Sequence, residues 1–109
     1  MIYLCNAFTV HMLPLMRVNE SHTLNITKIS AKEVMSILRE NAFRSYFGHE
    51  ESARHLAKYL GVTIKICRGY ITLTENDILI VAAITGKREW EHGLKGFPGW
   101  VFFLVELRQ

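Results

Sequence analysis

The chain predicts an α/β domain: a single mixed sheet of about five strands with two main helices packed on it. Three observations carry that prediction. Two stretches, "SAKEVMSILREN" and "EESARHLAKYLG", repeat apolar residues at helical spacing between start and stop signals. Two short apolar runs, Ile78 to Ile84 and Trp100 to Leu107, have the length and β-branched or aromatic content of buried strands. Helical and strand-like stretches also alternate along the chain, which calls for helices layered on a sheet.

In order, "MIYLCNAF" opens with a β-rich segment, read as a strand over Ile2 to Cys5. "TVHMLPLM" follows, and Pro14 limits it to a turn or a single helical turn. "HTLNITKI" alternates Leu24 and Ile26 with polar residues and reads as a strand. Ser30 and Glu33 form a capping-box pair for the first helix, whose apolar face is Ala31, Val34, Met35 and Leu38. "AFRSYFG" reads as a loop. The second helix presents Ala53, Leu56, Ala57 and Leu60 on one face and stops at Gly61. "VTIKI" alternates as a half-buried strand, while "YITLT" and "ILIVAAI" flank the turn "END" as a hairpin. "TGKREWEHGLKGFPG" is a charged connection to the last strand.

The 109 residues make one domain, 1–109, half hydrophobic and 21% charged, a balance that excludes a disordered chain. The apolar runs are too short for membrane helices, and no signal-peptide pattern opens the chain, so neither a membrane nor secretion is expected. On that ground "NES" at Asn19 and "NIT" at Asn25 are read as chance glycosylation patterns. A net charge of +3 permits an anionic ligand but lacks the dense basic stripe of a duplex binder. Cys5 and Cys67 are too few for a zinc site and read as two buried thiols, with a disulfide as the alternative. No cofactor and no metal is expected.

None of the five histidines forms a metal-ligand pair. His55 falls opposite the apolar face of its helix and reads as solvated, while His22 and His92 lie in loop-like stretches without pattern. His49 stands where a loop becomes a helix, behind Gly48, which lets a ligand or the chain come close. Free N–H groups of a first helical turn favour an anion, and an imidazole there can donate a proton to a leaving oxygen. The alternative is that His49 or Glu50 simply starts the helix. Asn6 and Thr9 follow the first strand, where α/β sheets place ligand contacts, although both are common turn formers. Arg68 in "CRG" suits a phosphate by its fork, or is a surface arginine in a tight turn. "GKREWE" gathers Lys87, Arg88, Glu89 and Glu91 in what reads as a solvated turn, and Trp90 either stacks on a base or closes a lid, or packs on the domain edge.

Taken together, these segments resemble one family. "YLCNAFTVHML" is similar to its "YLxNAFSxNML" opening, and "GHEES" to its "GHDST" ahead of an amphipathic helix ending in glycine. Arg68 after "GVTIK", and "DILIVAAI" before a glutamate-containing loop, keep the family's order. The family is that of the viral anti-CRISPR ring nucleases, small proteins widespread in crenarchaeal viruses, and the resemblance covers nearly the whole chain. It implies a symmetric homodimer that cleaves cyclic tetra-adenylate without a metal in the host cytoplasm. It assigns His49 as general acid and Arg68 to the phosphate backbone, with Asn6, Thr9, His11 and Gly48 around the ligand. Lys87 or Arg88 would be the basic member of the loop, and Glu89 or Glu91 the acidic one. His11 replaces a second asparagine and Ala83 a glutamine. These departures keep open a non-catalytic module that sequesters its nucleotide; a transcriptional regulator fits less well, for want of a basic stripe or a helix-turn-helix.

Overall fold

The computed structural model describes residues 1–84 and 99–108. Five strands form one mixed sheet: β1 Ile2–Cys5, β2 Thr23–Ile29, β3 Phe43–Tyr46, β4 Ile78–Ile84 and β5 Trp100–Arg108. Their spatial order is β2-β5-β4-β1-β3. β1 is parallel to both β3 and β4, with Cys5 opposite Tyr46 on one side and Val81 on the other. β5 is antiparallel to β4 and to β2. Among the described residues the sheet is joined by two helices, α1 Ala31–Glu40 and α2 Glu50–Leu60, and by a 3-10 turn at Val10–Met12.

The fold class is as the sequence predicts, and so are both helices. Ser30 caps α1, its hydroxyl accepting from Glu33 N–H at 3.1 Å while the Glu33 carboxylate accepts from Ser30 N–H at 3.3 Å. Gly61 ends α2 at φ 68°, a left-handed conformation glycine takes at little cost.

Two cores lie on opposite faces of the sheet. On one, Val34 and Leu38 of α1 and Ala53, Leu56 and Leu60 of α2 pack with Leu4, Ile80, Ala82 and Phe102. On the other, Leu79, Val81, Cys5 and Val105 are covered by Ile71 and Leu73. The strict alternation of β4 between the two clusters explains its unbroken apolar run, since both of its faces are buried.

Three expectations are corrected. "AFRSYFG" is not all loop, because Phe43–Tyr46 forms the edge strand β3; its alternation is masked by Arg44, which an edge strand can leave exposed. "VTIKI" and "YITLT" form no strand, and "ILIVAAI" is not paired with "YITLT" as a hairpin but lies between β1 and β5. Residues 70–74 instead cross the second face, tethered where Leu73 N–H donates to Met12 O at 2.7 Å. Their apolar alternation is real, but it serves burial against a sheet face rather than pairing within it. The "END" turn stands: Asp77 accepts from Thr74 N–H and pairs with the N-terminal ammonium at 3.3 Å.

His55 is not solvated either. It is half-buried, and its Nδ1 accepts from Trp100 Nε1 at 3.1 Å, linking α2 to the start of β5. Burial, then the nearby Lys58 charge, lowers its pKa below the usual 6.5. The unfolded chain therefore takes up the proton first as the pH falls, and the native state loses stability below about pH 6.5. Thermal unfolding between pH 7.5 and 5 is expected to show a steeper fall in Tm for the parent than for His55→Gln, whose amide cannot titrate.

Candidate functional site

β1 and β3 run parallel and end side by side at Cys5 and Tyr46, so the segments leaving them emerge at one edge of the sheet. Open α/β sheets bind ligands beyond such carboxyl ends. A cavity of ~300 Å³ lies there. From the first segment come Asn6, Thr9 and His11; from the second, Gly48; and from the chain crossing the second face, Arg68. Five residues predicted as ligand contacts, spread over 63 positions of sequence, thus line one cavity.

Local structure explains how each arrives. The 3-10 turn at Val10–Met12 closes with Met12 N–H donating to Thr9 O at 3.0 Å, which turns the chain after β1 back over the sheet. Phe47, fully buried among α1, α2 and the sheet, fixes the chain between Tyr46 and Gly48. Upstream of Arg68, the Ser45 hydroxyl donates to Lys65 O at 2.6 Å and ties the chain there to β3.

His49 is the N-cap of α2, with extended backbone, and its side chain makes no capping bond. It is exposed and does not itself line the cavity, but it directly follows Gly48, which does. Glu50 and Glu51 occupy the first helical turn, as helix-start residues should. Glu50 is paired with Arg54 one turn along the helix at 2.7 Å.

Lys87, Arg88, Glu89, Trp90, Glu91 and His92 lie outside the described residues. Ala83, half-buried on β4 opposite Val101, is not among the cavity residues. Among the described residues no group of His, Cys, Asp or Glu is gathered as a metal site, and no helix is long and apolar enough to cross a membrane.

Sequence reasoning missed several cavity residues: Cys5, Tyr46, Cys67, Gly69 and Tyr70. Tyr46 was hidden in a segment read as loop, and Tyr70 in one read as a strand. The two cysteines are free, and only Cys5 is buried, while Cys67 is exposed, correcting the reading of both as buried. Burial pushes the Cys5 thiol up to about 11, and the thiol donates to Ala7 O at 3.2 Å. At neutral pH it is a neutral wall group rather than a nucleophile.

The profile of the STIV B116-like family matches residues 2–94. Among solved structures, B116 of Sulfolobus turreted icosahedral virus superposes with a TM-score of 0.70 over 96% of this chain and 97% of that one, at 16% sequence identity. No curated protein sequence matches the chain.

Proposed function

The chain belongs to the STIV B116-like family of small viral proteins, and from that premise we propose that it is a metal-independent ring nuclease that cleaves cyclic tetra-adenylate. Within an infected host cell it would remove the messenger of type III CRISPR signalling. The observation that carries the proposal is the convergence of Asn6, Thr9, His11, Gly48 and Arg68 on one cavity with His49 at its border.

RNA brings its own nucleophile. The ribose 2′-OH attacks the adjacent phosphorus, the P–O5′ bond breaks, and the products carry a 2′,3′-cyclic phosphate and a 5′-hydroxyl. The protein needs to hold the hydroxyl in line, offset the phosphorane charge and protonate the departing oxygen. Arg68 suits the second task, as a permanently charged fork. His49 suits the third, because an exposed imidazole at a helix entrance can collect a proton from water and deliver it. The α2 amino end adds a favourable field for the anion. A carboxylate from Glu89 or Glu91 would orient the 2′-OH, with Lys87 or Arg88 adding positive charge.

Ligand size argues for two copies. A cavity of ~300 Å³ is at the lower limit for a small-molecule site, room for about one nucleotide rather than four. A twofold homodimer that faces two such cavities matches the symmetry of the ring and directs two His49 side chains at opposite phosphates. Two cuts would release two dinucleotides.

Incubation with cyclic oligoadenylates of several sizes in EDTA, followed by separation of products, tests the reading. Linear di-adenylate with cyclic phosphate ends is expected from the four-membered ring. Loss of activity in EDTA, or no product from any ring, would refute it. Recovery of intact ring bound stoichiometrically would favour the second reading, a sequestering module, which His11 and Ala83 keep in view.

A further inference from the structure

Resting on the ring-nuclease reading, we propose that Tyr70 is the base-stacking residue of the cavity and that it selects adenine over pyrimidine bases there. Tyr70 is 94% exposed yet lines the cavity, two residues from Arg68. Its neighbours hold it in place. Ile71 and Leu73 are buried against the second face of the sheet, and Leu73 is tied to Met12 O. Ile71 and Leu73 turn inward, while Arg68 and Tyr70 are both exposed and both line the cavity.

Gly69 makes this arrangement possible. A Cβ at that position would lie 3.2 Å from Tyr46 Cε1 and 3.6 Å from Cys67 Sγ, so a larger residue would lift the segment off the Tyr46 ring. Tyr46 itself is half-buried and packs against Tyr3, with ring centroids 5.9 Å apart. It is committed to the wall, whereas the Tyr70 ring is free on the outside. The cavity rim therefore carries a guanidinium and an open aromatic face two residues apart along the chain. That pairing suits a nucleotide, with its phosphate on Arg68 and its base on Tyr70. A purine covers more of the ring than a pyrimidine does, which gives the selectivity.

The test measures binding rather than cleavage. Full-length parent, Tyr70→Ala, Tyr70→Phe and Tyr70→Trp are titrated calorimetrically with cyclic tetra-adenylate and cyclic tetra-uridylate carrying 2′-O-methyl riboses, which remove the nucleophile. Tyr70→Ala is expected to weaken adenylate binding about 5- to 150-fold, the range for loss of one stacked base. Tyr70→Phe and Tyr70→Trp should stay near the parent, and the uridylate ring should bind more weakly and respond less. An unchanged Kd in Tyr70→Ala, or equal loss in the Phe and Ala variants, overturns the assignment. So does a fall in oligomeric mass of Tyr70→Ala by light scattering, which would make Tyr70 an interface residue. A parent that binds neither ring overturns the ring-nuclease reading and this inference with it, whereas adenylate binding that ignores position 70 overturns the inference alone.

Discussion

His49→Ala is expected to lose about 10²–10⁴-fold in single-turnover cleavage of cyclic tetra-adenylate, the usual worth of a positioned general acid. The loss should not come from unfolding. The His49 side chain is exposed and makes no capping bond, so its removal is a surface change worth within about 0.5 kcal/mol. Thermal unfolding of the variant is therefore expected to track the parent. A substrate with sulfur in place of the 5′-bridging oxygen separates acid catalysis from positioning. Its thiolate leaves without a proton, so His49→Ala should cleave it at nearly the parent rate. If the sulfur substrate remains as slow as the oxygen one, His49 orients the phosphate instead of protonating the leaving group. Full activity of His49→Ala on the natural ring would remove it from the mechanism altogether.

Helices were the most legible part of the fold, because their signals are local. The Ser30 and Glu33 pair, the 53–56–57–60 face and Gly61 can each be read within a turn or two, and all appear as expected. Strands were less legible because pairing is non-local. "VTIKI" and "YITLT" have strand-like patterns but find no neighbour in the sheet, while "FRSY" has a poorer pattern and pairs with β1. Burial against a sheet face and pairing within the sheet impose similar alternation, so periodicity cannot separate them. The candidate site was legible in its polar members and not in its walls. Asn6, His49 and Arg68 drew notice as chemistry-bearing residues, and the family resemblance grouped them. Tyr46, Gly69 and Tyr70 have no such signature; they enter the cavity where Ser45 ties the chain at Lys65 to β3 and Leu73 anchors the next stretch to Met12.

Phe47→Ala should have the largest effect on stability and, through it, on the site. Phe47 is fully buried, with Phe102 the largest such side chain among the described residues, and packs with Leu4, Val34, Leu38, Leu56 and Ile80 in the helix-covered core. Truncation leaves a cavity and costs about 3–5 kcal/mol, a large share of the roughly 5–15 kcal/mol that holds a domain together. The midpoint of thermal unfolding should drop by at least about 12 °C, from the low end of that cost and the entropy of a domain this size. Phe47→Leu keeps most of the apolar volume and should cost far less. Phe47 is also the single residue between the end of β3 and Gly48, so it fixes where the loop leaves the sheet and where α2 begins. Cleavage measured well below the lowered midpoint should therefore still be slower in Phe47→Ala than in Phe47→Leu, because the loosened anchor misplaces Gly48 and His49 against the phosphate. Equal rates for the two variants, with Phe47→Ala folded by circular dichroism, would show that the helix entrance is positioned by α2 alone and that Phe47 contributes only to the core.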